Sequence, residues 1–134
     1  MCYLHNPSLK PASRAFVPSI RKTREFKAVY NCGNQAVNAY FVVYAIANDT
    51  DVSRLGVTVS KKVGKAVVRN RVKRLVKESC RLKSLRIAKG FDIVVVARPA
   101  VGALPREGSF RKVDKALQFL LDKLRLLKTE SLVQ

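Results

Sequence analysis

Hydrophobic residues change their spacing along the chain, and each change marks a predicted element. Over residues 21–33 they recur three and four positions apart, which predicts a short amphipathic helix. Alternating stretches follow: residues 35–39 predict a brief edge strand, and YFVVYAIAN (40–48) and RLGVTVS (54–60) predict two longer strands. Because only a short polar turn separates these two strands, they are predicted to pair as an antiparallel hairpin.

The second half of the chain predicts a long helix, a buried strand and a final helix. Helical spacing runs from about residue 65 to residue 87, and FDIVVVAR (91–98) is a continuous apolar run, typical of a strand covered on both faces. Residues 99–108 are predicted to form a loop. From Ser109 onward, apolar residues at helical spacing predict a helix that packs on the sheet rather than a dimer zipper: Val113, Leu117, Leu120, Leu121, Leu124 and Leu127.

The order of these elements predicts the α+β class. It is α-β-β-β-α-β-α, which we interpret as a single-domain two-layer sandwich with helices packed on a central sheet. Three of the five prolines lie in residues 1–20, where no period is sustained, so this segment is predicted to be a flexible basic N-terminal arm. Residues 21–128 form the predicted domain and residues 129–134 a C-terminal tail. The pattern leaves open whether the arm has a role.

One helical segment, VGKAVVRNRVKRLVKESCR (63–81), separates its apolar and basic positions. One side carries Val68, Val72, Leu75, Val76 and Ser79. The opposite side and its two flanks form what we call the basic ridge: Arg69, Asn70, Arg71, Lys73, Arg74, Lys77 and Arg81. A solvated surface helix usually mixes both signs of charge, whereas the only acidic residue between positions 61 and 89 is Glu78. We expect the basic ridge to bind phosphate groups.

The whole chain carries the same excess of positive charge. Its 134 residues include 27 Lys and Arg against 9 Asp and Glu, which gives a net charge of +18, and 48% of the residues are hydrophobic. A folded protein with this charge attracts polyanions, so nucleic acid is the expected partner. A membrane surface is the rival polyanion, but the chain has neither a run of about 18 apolar residues nor a signal-peptide pattern. No membrane attachment is expected, and no protein partner is evident.

The residues that could carry chemistry do not predict an active site in the protein. Cys2, Cys32 and Cys80 are widely spaced and His5 is the only histidine, so no zinc site is expected. Three unpaired thiols suit the reducing cytoplasm. The acidic residues are scattered, without the spacing that general acid–base catalysis or a two-metal centre needs. We therefore expect no catalytic residue, no metal site and no cofactor bound by the protein itself.

A second candidate surface lies between the first helix and the first long strand. Alternation places one set of side chains on the same face of that strand: Tyr40, Val42, Tyr44 and Ile46. If the first helix covers this face, Phe26, Tyr30 and Tyr44 could line a groove for unpaired bases. The cations that could reach phosphates beside it are Lys61, Lys62 and Arg98. Ordinary core packing of the aromatic residues is the alternative, and the sequence leaves it open.

Two other classes of protein remain as alternatives. A DNA-binding regulator can insert a helix into a major groove, but the chain shows neither a helix-turn-helix pattern nor a heptad repeat. A ribosomal or general RNA-binding structural protein would bind RNA without processing it. Lys89-Gly90-Phe91 resembles the start of an RNP1 motif, but residues 92–94 break it, and no G-x-x-G loop of the KH type is present.

Four segments together resemble the protein subunits of bacterial ribonuclease P. They are REFKAVYNCG (24–33), FVVYA (41–45), RLGVTVSKKVGKAVVRNRVKRLVKE (54–78) and FDIVVVARP (91–99), in that family's order and close to its usual spacing. The third segment is the most specific, because it satisfies the family's signature around its Arg-Asn-Arg centre. The resemblance covers about residues 21–127.

The resemblance implies a ribosomal protein S5 domain 2-like fold with a left-handed βαβ crossover. It also implies a cytoplasmic ribonucleoprotein endonuclease of tRNA processing, whose catalytic RNA requires Mg²⁺ and whose protein assists removal of the 5′ leader from precursor tRNA. By matched position, the catalytic RNA would be bound by Lys61, Lys62, Lys65, Arg69, Asn70, Arg71, Lys73, Arg74 and Lys77. The leader would lie in a cleft formed by Phe26, Tyr30, Val42, Tyr44 and Arg98.

Overall fold

The computed structural model describes residues 19–20 and 22–127 as a four-stranded mixed sheet with helices on both faces. In chain order the elements are α1 (Thr23–Cys32), β1 (Asn34–Val37), β2 (Phe41–Ala47), β3 (Arg54–Thr58), α2 (Ala66–Leu82), β4 (Phe91–Ala97), α3 (Pro99–Gly102) and α4 (Ser109–Lys123). The predicted α+β class is confirmed. Nearly all of the predicted arm and the whole predicted tail lie outside the described residues.

The sheet has the strand order β1-β2-β4-β3, so the predicted hairpin of β2 and β3 is wrong. β4 lies between them, antiparallel to β2 and parallel to β3. The physical reason is the composition of β4: Ile93, Val94 and Val95 are almost completely buried, and a strand that is apolar on both faces buries most surface at the centre of a sheet. The chain therefore leaves β3, crosses through α2 and returns as β4.

The main core lies between the sheet and the two long helices α2 and α4. Its fully buried side chains come from β2, β4 and both helices: Phe41, Val43, Val72, Val76, Val95, Val113, Leu117 and Leu120. The predicted apolar stripe of α4 is confirmed as far as Leu121. Leu127 lies beyond the end of α4, where it forms an isolated bridge with Ile87.

α1 packs on the opposite face of the sheet, where Val29 and Val94 are completely buried. The predicted two-layer sandwich therefore describes the main core alone, and α1 adds a partial third layer. The cause is again β4, which carries buried side chains on both of its faces. Ile20, which the prediction assigned to the flexible arm, belongs to this layer: it is 4% exposed, and its N–H donates to the Leu55 carbonyl at 2.9 Å.

Two element boundaries also differ from the prediction. α2 ends at Leu82 rather than near residue 87, because Lys83 turns inward and the following residues form turns that lead to the Ile87 bridge. The predicted loop after β4 begins with the short helix α3. Pro99 occupies its first position, where the fixed φ of proline favours a helix start, and Val101 anchors it at 1% exposure.

Candidate nucleic-acid interface

α2 separates a buried side from a basic side as the sequence predicts. Val72 and Val76 are completely buried against the core. On the basic ridge, Asn70, Arg74, Lys77 and Arg81 are exposed, whereas Arg69, Arg71 and Lys73 are half-buried at its margins. The helix that seals one face of the sheet therefore also displays a row of cations to solvent.

Few acidic side chains neutralise the basic ridge. Arg81 pairs with Glu78 one turn earlier, at 2.6 Å. Within the described part of the chain, no acidic side chain lies at ion-pair distance from any other cation of the ridge. Like charges on one helix face repel each other, so an anion bound along the ridge relieves that repulsion.

The two arginines at the margins of the ridge keep most of their hydrogen-bond donors free. Arg71 Nη2 donates to the Leu104 carbonyl at 3.3 Å, which holds the guanidinium group beside the segment that precedes α4. The buried Nε atoms of Arg69 and Arg71 find no acceptor among the described residues. A guanidinium group has five N–H donors in a planar fork, so both groups can still bind a phosphate through two hydrogen bonds.

More cations gather at one end of the sheet. Because β3 and β4 run parallel, their carboxyl ends share one edge, where Lys61 and Lys62 follow β3 and Arg98 follows β4. Lys65, the N-cap residue of α2, begins the basic helix just beyond. All four side chains are exposed, and Arg98 Nη1 donates to the Asn38 carbonyl at 2.8 Å. We call these four residues the basic edge.

The predicted aromatic residues come together between α1 and β2. The Tyr30 and Tyr44 rings meet edge to face, with centroids 5.0 Å apart, and the Phe26 ring lies 6.4 Å from that of Tyr30. The hydroxyl of Tyr30 shares a hydrogen bond of 3.2 Å with that of Thr58. Tyr30 remains 37% exposed, so this cluster is only partly covered and presents an aromatic edge to solvent.

α1 leaves one row of the sheet open beside these rings. The strand register aligns Val37, Val42, Val96 and Thr58 side by side across all four strands. Val37 is 41% exposed and the others are half-buried. This open row and the three rings form what we call the aromatic groove. The sequence prediction included Val42 alone from the row, since its three neighbours come from other strands and only the register brings them together.

An ion-pair network that the sequence prediction missed lies at the other end of the sheet. Arg54 on β3 donates to both oxygens of Asp92 on β4, at 2.9 and 2.6 Å, and to Glu25 on α1 at 3.0 Å. Asn48 also donates to Asp92, at 2.8 Å. The only signal in the sequence was Asp92 itself, a lone acidic residue inside an apolar strand.

Both carboxyl groups of this network are held in the ionised form. The hydrogen bond from Arg54 lowers the pKa of Glu25. Burial raises the pKa of Asp92, but the hydrogen bonds from Arg54 and Asn48 outweigh it, and the pKa is lowered overall. The same contacts raise the pKa of Arg54. The charge of Arg54 is therefore neutralised by two carboxylates within the protein, whereas most cations of the basic ridge have no described acidic partner.

A second missed network joins α2 to α4. Lys83 is 5% exposed, and its Nζ donates to Asp114 and, at 2.9 Å, to the hydroxyl of Ser79. Ser79 in turn donates to Asp114 at 2.7 Å. Burial raises the pKa of Asp114, whereas the hydrogen bonds from Lys83 and Ser79 lower it and prevail. Lys83 is therefore a structural cation, although it lies in the most basic part of the sequence.

Three further findings concern metal ligands, a thiol and membrane-spanning helices among the described residues. Among them, no group of three or more His, Cys, Asp and Glu side chains is placed to hold a metal ion. Burial raises the pKa of the Cys80 thiol to about 12, so this cysteine stays protonated and packs as an apolar residue. In the same part of the chain, no helix combines the length and apolar character needed to cross a membrane.

A family model, a curated relative and two solved structures all indicate the same protein family. A family model described as Ribonuclease P matches residues 18–124. The Ribonuclease P protein component of Clostridium kluyveri is 44% identical over 111 residues, which cover 81% of this chain and 96% of that protein. The solved Staphylococcus aureus RNase P protein is 32% identical, with a TM-score of 0.75, over 82% of this chain and 97% of its own. The RNase P protein from Thermotoga maritima is 39% identical, with a TM-score of 0.68, over 76% and 94%.

Proposed function

The chain belongs to the ribonuclease P protein component family, and on this premise we propose that it is the accessory protein subunit of a ribonuclease P holoenzyme. It binds the catalytic RNA subunit and the 5′ leader of precursor tRNA in the cytoplasm, and it assists the endonucleolytic removal of the leader. The RNA supplies the catalytic centre and holds the Mg²⁺. The proposal assigns no catalytic residue and no metal ligand to the protein.

The main support for the proposal is the charge of the basic ridge and the basic edge, of which only Arg81 is paired with an acidic side chain among the described residues. Each cation that meets a phosphate releases counterions, so several such contacts give binding that weakens steeply with salt. We assign binding of the RNA subunit to nine residues on these two surfaces: Lys61, Lys62, Lys65, Arg69, Asn70, Arg71, Lys73, Arg74 and Lys77.

The leader is assigned to the aromatic groove. Its rings and its apolar row suit unpaired bases, which stack on aromatic side chains without regard to their sequence. Tyr30 and Tyr44 supply rings for stacking, and Phe26 packs beside Tyr30 on α1. Val42 lies in the open row of the sheet, and Arg98 can reach a phosphate from the basic edge. A double helix presents its phosphates rather than its base faces, so this site favours a single strand.

The family also predicts a feature of the chain path. We expect the crossover from β3 through α2 to β4 to be left-handed, as in ribosomal protein S5 domain 2-like folds. The parallel pairing of β3 with β4 on either side of α2 makes the connection a crossover, so that a handedness applies to it. Such crossovers are usually right-handed, and the expectation of a left-handed one comes from the family alone.

The decisive experiment is processing of a precursor tRNA by a bacterial ribonuclease P RNA at low Mg²⁺, with and without the protein. We expect cleavage at the mature 5′ end only when both components are present. RNA binding without a gain in processing would favour a structural RNA-binding protein instead. Cleavage by the protein alone would contradict the assignment of catalysis to the RNA.

A further inference from the structure

One face of β3 carries three contacts that hold α1 in register with the sheet. Residues 54, 56 and 58 point to the same side of the strand, and each contacts α1. Arg54 pairs with Glu25 at the first turn of α1, and Thr58 shares a hydrogen bond with Tyr30 near its end. The two ends of α1 are therefore tied to the same strand.

The middle contact needs a glycine. A Cβ atom built on Gly56 would lie 2.7 Å from the ring of Phe26, closer than side-chain atoms normally approach. The missing side chain lets this ring lie directly against the strand. Phe26 follows Glu25 in the helix, so the ion pair and the ring contact are made by adjacent residues and define the height of α1 above β3.

We infer that Arg54 is a positioning residue for leader recognition, which it serves by bridging Glu25 on α1 to Asp92 on β4. The bridge sets the distance between α1 and the sheet, and with it the width of the aromatic groove. This inference rests on the proposed function, since it assumes that the groove holds the leader.

Arg54 is poorly suited to bind phosphate itself. Three of its nitrogens already donate to carboxylate oxygens, and its side chain is only 30% exposed. With Glu25 and Asp92 both ionised, the trio carries more negative than positive charge and repels a phosphate. Its contribution to leader binding therefore passes through the placement of α1.

The role of Arg54 is tested by two substitutions that change the net charge of the protein equally. Glu25→Gln removes the charge of the ion pair and leaves at most a weaker neutral hydrogen bond to Arg54. Glu107→Gln is the control, because Glu107 is exposed in the segment before α4 and forms no ion pair with any described residue. The holoenzyme, assembled from the protein and a bacterial ribonuclease P RNA, is titrated with precursor tRNA and with mature tRNA. The readout is the ratio of the two affinities.

We expect Glu25→Gln to reduce the preference for precursor tRNA by about three- to tenfold, the scale of coupling within one hydrogen-bond network. Glu107→Gln should leave the ratio unchanged. Charge alone predicts no such loss for Glu25→Gln, since removal of an acidic residue favours binding of any polyanion, precursor tRNA included. An unchanged or increased preference would overturn the inference, and so would an equal loss of affinity for both tRNAs, which indicates a general structural role.

Arg54→Lys provides the second variant. Lysine keeps the charge but cannot hold two carboxylates with a planar fork, so we expect the same loss of preference as with Glu25→Gln and no change in the salt dependence of binding. Full retention of the preference in Arg54→Lys would identify a simple charge contact and overturn the inference. Absence of any preference in the unmodified holoenzyme would instead refute leader binding itself.

Discussion

The two faces of the sheet are covered to different extents. On the face toward α2 and α4, Phe41, Val43 and Val95 are completely buried. On the face toward α1, Val94 is completely buried, whereas Val37 at the edge of the same face is 41% exposed. One face is therefore sealed by two long helices and the other is half covered by a single short helix.

If the aromatic groove binds the leader as proposed, this difference separates stability from recognition within one small sheet. Apolar area removed from water on the sealed face stabilises the fold. The incomplete cover on the α1 face leaves aromatic and apolar surface where bases can stack. α2 contributes to both, because its apolar side seals the core while its basic ridge remains on the outside. Substitutions on the sealed face should therefore change mainly the free energy of unfolding, and substitutions on the open face or the basic ridge mainly RNA binding.

The largest effect is expected from removal of two arginines from the basic ridge of α2. Arg69→Ala combined with Arg71→Ala should weaken binding of the ribonuclease P RNA by about 2–6 kcal/mol, or roughly 1–3 kcal/mol for each charge-assisted contact. The free energy of unfolding should change little. A filter-binding titration at fixed salt and a urea denaturation curve measure the two quantities.

A matched control for this double substitution lies on α4. Lys112→Ala combined with Lys115→Ala also removes two cations, but from exposed positions outside the basic ridge. It should weaken RNA binding much less. Equal losses in the two double variants would mean that net charge, rather than the ridge, determines affinity.

The next effect concerns the sealed face. Leu117 is completely buried in the main core, so Leu117→Ala should lower the free energy of unfolding by about 2–5 kcal/mol through lost burial and a cavity. Val37→Ala removes apolar atoms from the open row and should cost less than about 1 kcal/mol. Urea denaturation in phosphate buffer measures both. Similar costs at the two positions would contradict the difference in cover between the faces.

The sequence predicted which side of α2 and which face of β2 each residue occupies, because these depend on local periodicity. Spacing along α2 separated Val72 and Val76 from the basic ridge, and alternation along β2 placed Tyr44 opposite the core-facing Phe41. Both patterns repeat within a single element, so neighbouring residues alone determine them.

Local periodicity could not predict features that need the order of the strands, although the family resemblance implied a βαβ crossover. The insertion of β4 between β2 and β3 is decided by total burial over the sheet, whereas the short turn at residues 48–53 favoured a local hairpin. The open row across the four strands and the bridge from Glu25 through Arg54 to Asp92 both follow from that order. Each joins residues that lie far apart in the chain and show no shared motif.

On the open face, Tyr44→Ala tests whether the rings of the aromatic groove bind the leader. Loss of one stacking platform should weaken binding of precursor tRNA by about 1–3 kcal/mol and leave mature tRNA nearly unaffected. Phe119→Ala is the control, since Phe119 is an aromatic residue on α4 that is 57% exposed but lies outside the aromatic groove. Equal losses for precursor and mature tRNA in Tyr44→Ala would remove the leader from this groove.

The smallest effect tests whether the sealed face depends on the ion pair between Lys83 and Asp114. Lys83 and Ser79 hold the pKa of Asp114 below its ordinary value of 3.8, so this contact stabilises the fold fully above about pH 4 and is lost as the pH falls through the folded-state pKa. Asp114→Asn should lower the free energy of unfolding at pH 7 by about 1 kcal/mol, a figure reduced for the partial exposure of the carboxylate. The difference from the unmodified protein should shrink in urea denaturation curves recorded below pH 4. A difference that stays constant down to pH 3 would show that the ionised carboxylate contributes nothing, and that apolar packing alone seals this face.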